Sequence, residues 1–348
     1  MRGAGAPDHA VRGAVLAVAG RPLALVYRTL GLGDLLTAVP ALRAIRRGLP
    51  DHRATLATPR ALHPLIPLID DGIEPLAVPE LGEVHDRVRR PNVAVNLHGR
   101  GPESHRRVLA TGPRTFLAFR HPDVSESADG PAWRDDDHEV ARWARLVASF
   151  GFPAEADDLA LGPPAAASRW PGATALHPGA ASEARRWPAA RWARVVEGER
   201  DRGHQVVITG SAQERRLAER IAEGAGLHPR VVLAGRLRLD ELASVVAHAG
   251  RLVCGDTGVA HLATAFGTPS VILFGPTSPA RWGPPADRPH HIALWAGRTG
   301  DPHGPVTDPG LLEIGVGDVV SALDRLSDRT SSRRASSASR HTRWPRTA

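Results

Sequence analysis

Lysine is absent from this 348-residue sequence, so all 44 of its Lys+Arg cations are arginine. That excludes lysine chemistry and favours anionic ligands, because a guanidinium stays protonated and forks onto phosphate or carboxylate oxygens. Cysteine occurs once, at Cys254, which rules out an internal disulfide and fits a reducing compartment. Apolar runs are broken by Arg, Asp, Gly or Pro well before the ~18 residues that a membrane span needs. The early stretch "AVLAVAG" is cut by Arg21 and Pro22 and leads into "LALVYRTL", so it reads as the approach to a first strand rather than as a signal peptide. A cytoplasmic protein is expected. No RNA-binding signature, zinc-ligand spacing or basic heptad accompanies the net charge of +7, whose excess gathers in the carboxyl-terminal tail.

What is present is a soluble, globular balance of 42% hydrophobic and 23% charged residues, in a chain long enough for two domains. Short β-branched or Leu-rich runs alternate with stretches of helical period from Leu23 to about Leu326, which argues for a parallel α/β sheet in each half. The expected strands of the first half are Leu23–Tyr27, Ala54–Ala57, Pro75–Val78 and Val93–Asn96. Those of the second are Ala173–Leu176, Gln205–Thr209, Val231–Leu233, Arg251–Cys254 and Ser270–Phe274. The Pro/Ala/Gly-rich "LGPPAAASRWPG" separates them as a linker. The expected organisation is an extension over 1–21, a first domain over 22–161, the linker over 162–172, a second domain over 173–327 and a basic tail over 328–348. The tail, rich in Ser, Thr and Arg, has too few apolar residues to offset ordering entropy, so disorder is expected there.

Chemistry can sit where strands give way to helices. After the first strand, Gly31 and Gly33 form a G-x-G, but Leu36 stands where the dinucleotide fingerprint needs a third small residue, and no acid closes the second strand at Ala57. A nicotinamide cofactor is therefore not expected. The turn presents Asp34 at a helix start, as a helix cap or as a functional carboxylate. Pro40, read as lying past the first turn of that helix, is costly there. In the second half, Arg185 and Arg186 precede a helix opened by "WP", an arrangement that suits a diphosphate. Glu214 opens another helix and can serve ribose hydroxyls or the helix dipole. Asp256, Thr257 and Gly258 follow a strand directly, with His261 one turn on; Gly258 lets the backbone approach an anion, and Asp256 should face hydroxyls or cap the helix. Asp135, Asp136 and Asp137 contain an Asp-x-Asp that can hold a divalent metal, but they precede an amphipathic helix whose dipole favours acids for structural reasons.

Together "LGLGDLLTAVPALRAIR", "HPGAASEARRWPAARWARV", "LAGRLRLDELASVVAHA" and "CGDTGVAHLATAFGTPSVILFGPT" resemble glycosyltransferase family 9, the heptosyltransferase-like enzymes, from about Leu23 to Trp282. The resemblance implies an α/β GT-B fold, with two doubly wound Rossmann-like domains facing a cleft, acceptor on the first side and nucleotide-sugar on the second. It implies inverting, metal-independent transfer without a cofactor, with Asp34 as general base. By the same carry-over Arg185 stands where the family has a phosphate-binding lysine, with Arg186 left as the alternative. Glu214 resembles the ribose-binding acid, and Asp256, Thr257, Gly258 and His261 match the nucleotide-sugar motif. "NLHGRGPESHRRVLA" resembles the acceptor-side loop and makes Arg100, Ser104 and His105 candidates for acceptor contact. The implied partners are a nucleoside-diphosphate sugar, ADP-linked, and a glycan or glycolipid acceptor of lipopolysaccharide synthesis, with peripheral contact at the inner membrane face and no specific nucleic acid. A nucleotide-sugar epimerase or hydrolase and a non-catalytic binder of sugar nucleotides or nucleic acid stay open as alternatives.

Overall fold

The computed structural model describes residues 20–85 and 88–327. The calls on the extreme amino terminus and on the tail lie outside the described residues, apart from Gly20 and Arg21. Arg21 bonds the carbonyls of Pro50, Asp51 and His52.

The first sheet consists of parallel strands β1 (Leu23–Tyr27), β2 (Arg53–Thr58), β3 (Ile73–Ala77), β4 (Val93–Asn96) and β5 (Thr115–Leu117), in the order β3-β2-β1-β4-β5. Helices α1 (Leu32–Thr37), α2 (Val39–Gly48), α3 (Ile66–Ile69), α4 (Glu103–Leu109) and α5 (Glu139–Ala148) accompany it. The second sheet holds β6 (Thr174–His177), β7 (Val206–Ile208), β8 (Arg251–Gly255), β9 (Ser270–Phe274) and β10 (His291–Trp295), again parallel, in the order β10-β9-β8-β6-β7. With it run α6 (Ala189–Asp201), α7 (Arg215–Gly224), α8 (Leu239–His248), α9 (Gly258–Phe266), α10 (Pro279–Trp282), α11 (Pro309–Glu313) and a last helical stretch over 316–327. Two Rossmann-like units are thus present, as the alternating pattern required.

The central strands are apolar on both faces because helices cover both, and β8 and β9 are buried along their whole length. The largest buried cluster runs from one unit into the other, through Leu35, Leu36 and Val39 around α1 to Val259, Leu262 and Ala263 of α9. Burying α9 on nearly all sides demands its run of Val, Ala, Leu and Phe, and Gly267 ends it in the left-handed region at φ 68°. The stretch over 162–172 is bonded to both units: Gly162 N–H donates to Leu68 O and Gly172 N–H to His248 O.

Three local expectations need correction. Pro40 lies in the first turn of a new helix, because α1 ends at Thr37 and α2 begins at Val39; its missing N–H costs little there. Val231–Leu233 is not a strand: Pro229 opens a short 3-10 turn, and only Val232 forms an isolated bridge, to Ile208. The short β5 and the partly exposed edge strand β10 were not anticipated.

Candidate active site between the two sheets

Strand order sets where a ligand can enter. From β1 the chain winds outward through β2 and β3, then crosses back to β4 on the other side. Loops leaving the carboxyl ends of β1 and β4 therefore part in opposite directions and open a crevice, and the same reversal occurs between β6 and β8. Asp34 follows β1, Arg185 and Arg186 follow β6, and Asp256, Thr257 and Gly258 follow β8. Helices α1 and α9 join the two crevices. A Cβ added to Gly33 would sit 3.1 Å from His261 Cδ2 and 3.4 Å from Gly258 Cα.

Asp34 occupies the third position of α1, and its Oδ2 accepts the Gly31 N–H at 3.2 Å, so the carboxylate does cap its helix. Its Oδ1 lies 3.5 Å from Arg28 Nη2. Arg28 is buried at the end of β1: it donates to Leu97 O, to Asp34 O at 2.6 Å and to Glu139 Oε1 at 3.2 Å, and it stacks 4.5 Å over the Trp143 ring. Glu139 is held in turn by Arg142 and by Trp143 Nε1. Burial raises the pKa of Asp34; Arg28 opposes this and Glu139 adds to it. The carboxylate keeps about a quarter of its surface in the open, with 27% of its side chain exposed. The result is an accessible carboxylate of increased basicity on a rigid support.

On the facing side, N-cap Thr257 makes no side-chain cap hydrogen bond to the first α9 amides, of which Ala260 N–H donates to Thr257 O at 3.0 Å. Asp256 does not cap the helix. Its buried carboxyl is pushed up to about 6 by burial, against the lowering effects of nearby Arg185 and of a hydrogen bond with Thr277. Arg185 Nη1 reaches Asp256 O at 3.4 Å, whereas Arg186 turns away, to Ala180 O at 3.0 Å and Glu183 Oε2 at 3.0 Å. Glu214 caps the turn ahead of α7 by accepting the Ser211 N–H at 2.7 Å, and presses so closely on the loop after β6 that a Cβ at Gly179 would lie 2.0 Å from its Oε1. Beside it, burial lowers the pKa of His177, with Glu214 pulling the other way. His261 packs edge-on against Trp282, and burial, with His138 adding to it, lowers its pKa to about 4, so the ring is neutral at neutral pH.

The acceptor-side expectation changes. Ser104 and His105 are buried: Asn96 Nδ2 bonds Ser104 Oγ at 2.9 Å and His105 Nδ1 at 2.8 Å, and His105 Nε2 meets Phe119 O at 2.7 Å. They anchor α4 to the end of β4 and are not free to meet an acceptor. Arg100 is exposed. The acidic run is committed to structure: Asp135 Oδ1 accepts Trp133 Nε1–H at 2.8 Å and Asp137 Oδ2 pairs with Arg145 at 2.5 Å, while Asp136 is exposed. Among the described residues no group of three or more His, Cys, Asp or Glu could hold a metal ion, and no helix is long and apolar enough to cross a membrane.

Sequence reasoning missed Arg28, Glu139, His98 and His138. His138 caps α5 through Nδ1, which accepts the Val140 N–H, and bonds Gly283 O from Nε2 at 3.0 Å, tying the two units together. A strand-terminal arginine next to the G-x-G turn was a readable signal for Arg28.

Residues 132–301 match the family model for glycosyltransferase family 9 (heptosyltransferase). Lipopolysaccharide heptosyltransferase 3 of Escherichia coli is 32% identical over 146 residues, 40% of this chain and 42% of that protein. Lipopolysaccharide heptosyltransferase 1 of Pseudomonas aeruginosa is 39% identical over 149 residues, 41% of each. The match thus spans less than half the length of these curated relatives. The solved ADP-heptose lipopolysaccharide heptosyltransferase II of E. coli shares the fold, with a TM-score of 0.72 at 22% identity over 89% of this chain and 99% of that one. The chain therefore has a GT-B fold, two Rossmann-like units about a cleft, and over 132–301 it is similar to glycosyltransferase family 9 (heptosyltransferase).

Proposed function

We propose that this protein is an inverting glycosyltransferase that moves a sugar from an ADP-linked donor to a hydroxyl of a glycan or glycolipid acceptor. Heptose and lipopolysaccharide are the pair to which its relatives' names point. The reading makes it a cytoplasmic enzyme that meets a glycolipid acceptor at the inner membrane face. One juxtaposition carries it: a carboxylate made more basic by burial stands on the α1 amino terminus, and that terminus meets the glycine turn ahead of α9.

A sugar hydroxyl is a weak nucleophile near neutral pH. Asp34 accepts its proton as the oxygen bonds to the anomeric carbon, on the face opposite the departing nucleotide. The anomeric C–O bond to the diphosphate breaks, and its electron pair leaves with the phosphate oxygen. Arg185 and the α9 amides meet the charge that grows there, so no metal is needed in this scheme. Glu214, against the loop after β6, takes the ribose hydroxyls, and His261 fills the space behind Gly33 as a neutral ring.

The test is Asp34→Asn, assayed with ADP-heptose and heptose-free lipopolysaccharide. Transfer should fall by about 10²–10⁴-fold, the usual contribution of a general base. The thermal shift given by ADP should persist. Normal turnover in the variant removes the base, and product formed without acceptor would point to hydrolysis or epimerisation instead.

A further inference from the structure

We propose that His98 binds the acceptor, its Nε2–H donating to an oxygen of the sugar whose hydroxyl Asp34 activates. The inference rests on the glycosyl-transfer reading above and adds a contact on the acceptor side, where Ser104 and His105 are consumed by the core.

His98 stands just past β4, beside Thr29 just past β1, at the strand reversal of the first sheet. The Thr29 backbone amide fixes the tautomer of His98. The Thr29 backbone N–H donates to Nδ1 at 3.3 Å. The Thr29 hydroxyl lies 3.1 Å from the same nitrogen, and its oxygen accepts the Leu81 N–H at 3.0 Å. Nδ1 is thus an acceptor, and the ring proton sits on Nε2. The backbone is pinned as well, since His98 N–H donates to Asn96 Oδ1 at 2.9 Å. Among the described residues no hydrogen bond engages Nε2, and the ring is only half-buried, packed obliquely on Tyr27.

The chemistry suits a neutral donor at this place. Burial, and then the charge of Arg28, lower the pKa of His98 to about 4, so the ring stays uncharged across the working range. A cation here would hold Asp34 ionised and weaken it as a base, whereas a neutral N–H orients an oxygen without that cost. Arg28 itself is buried and spent on Asp34, Thr37, Leu97 and Glu139.

The experiment uses the full chain with ADP-heptose and heptose-free lipopolysaccharide core oligosaccharide, and compares His98→Phe with His98→Gln. Loss of one such bond should raise the acceptor KM about tenfold in His98→Phe, with donor KM and kcat changed by less than about twofold. His98→Gln, which keeps an N–H donor, should recover most of the loss. In ¹⁵N-imidazole spectra the His98 Nε2 resonance should move when the oligosaccharide is added. An unchanged acceptor KM in folded His98→Phe, or an equal rise in donor KM, overturns the inference. If the wild type transfers no sugar, the proposed function fails, and the Nε2 resonance still decides about His98: movement retains a hydroxyl-binding site, and none removes it.

Discussion

Gly258 and Gly33 approach across the gap between the two units so closely that a Cβ on Gly258 would stand 2.8 Å from the Gly33 amide nitrogen and 2.8 Å from Leu32 Cβ. Backbone occupies that space, so a larger residue cannot be absorbed by a side-chain rotation. Gly258→Ala must push α1 away from α9, and with it Asp34 away from the donor loop. A small misplacement of a reacting group is costly, so kcat/KM should fall by at least about tenfold, or about 1.4 kcal/mol in the barrier. Steady-state kinetics on the folded variant check this, and unchanged kcat/KM would show that the juxtaposition has no bearing on transfer.

The two arginines after β6 should separate cleanly. Arg185 points to the Asp256 carbonyl at the base of the α9 turn, while Arg186 is spent on Ala180 and Glu183. A charge-assisted bond to a diphosphate is worth about 1.5–3 kcal/mol, so Arg185→Ala should weaken ADP binding by roughly 10- to 150-fold. Arg186→Ala should change it by less than about threefold, in line with an exposed ion pair. Calorimetric titration with ADP gives both numbers, and the reverse ranking would transfer the role to Arg186.

The contrast between these residues and the ones missed has a physical basis. Asp34, Asp256 and Gly258 stand out in the sequence because an acid or a glycine between an apolar run and a helical pattern is a local signal. Such a residue suits the place where a strand turns into a helix. Glu139 is not legible in that way: in the sequence it belongs to an acidic run ahead of a helix, and only the fold brings it to Arg28, 111 positions earlier. His98 and Thr29 meet across 69 positions for the same reason, through the pairing of β4 with β1. Ser104 and His105 read as candidates for acceptor contact until Asn96 provides them with buried partners. The strands followed the same divide. β1, β4 and β9 announce themselves as apolar runs, whereas β5 has three residues and β10 shows a mixed, edge-strand face to solvent.

On the proposed mechanism, the same long-range pair sets the pH dependence of transfer. A general base works only when ionised, so the rate should fall as the pH drops through the pKa of Asp34. Burial raises that pKa, Arg28 pulls it down, and Glu139 pushes it up again, so the acid limb should lie above the ordinary carboxylate range. Glu139→Gln removes one negative charge and leaves more of the Arg28 charge uncompensated. Both changes favour ionised Asp34, so the acid limb should move to lower pH. The amide oxygen can still accept the Trp143 Nε1–H, which limits the structural damage. The slower side of the trade should appear as a lower plateau rate at neutral pH, because a less basic carboxylate is a poorer proton acceptor. Measurement of kcat/KM from about pH 4 to 9 in wild type and variant tests the sign. A limb that stays in place or moves upward would mean that the titrating group is not Asp34.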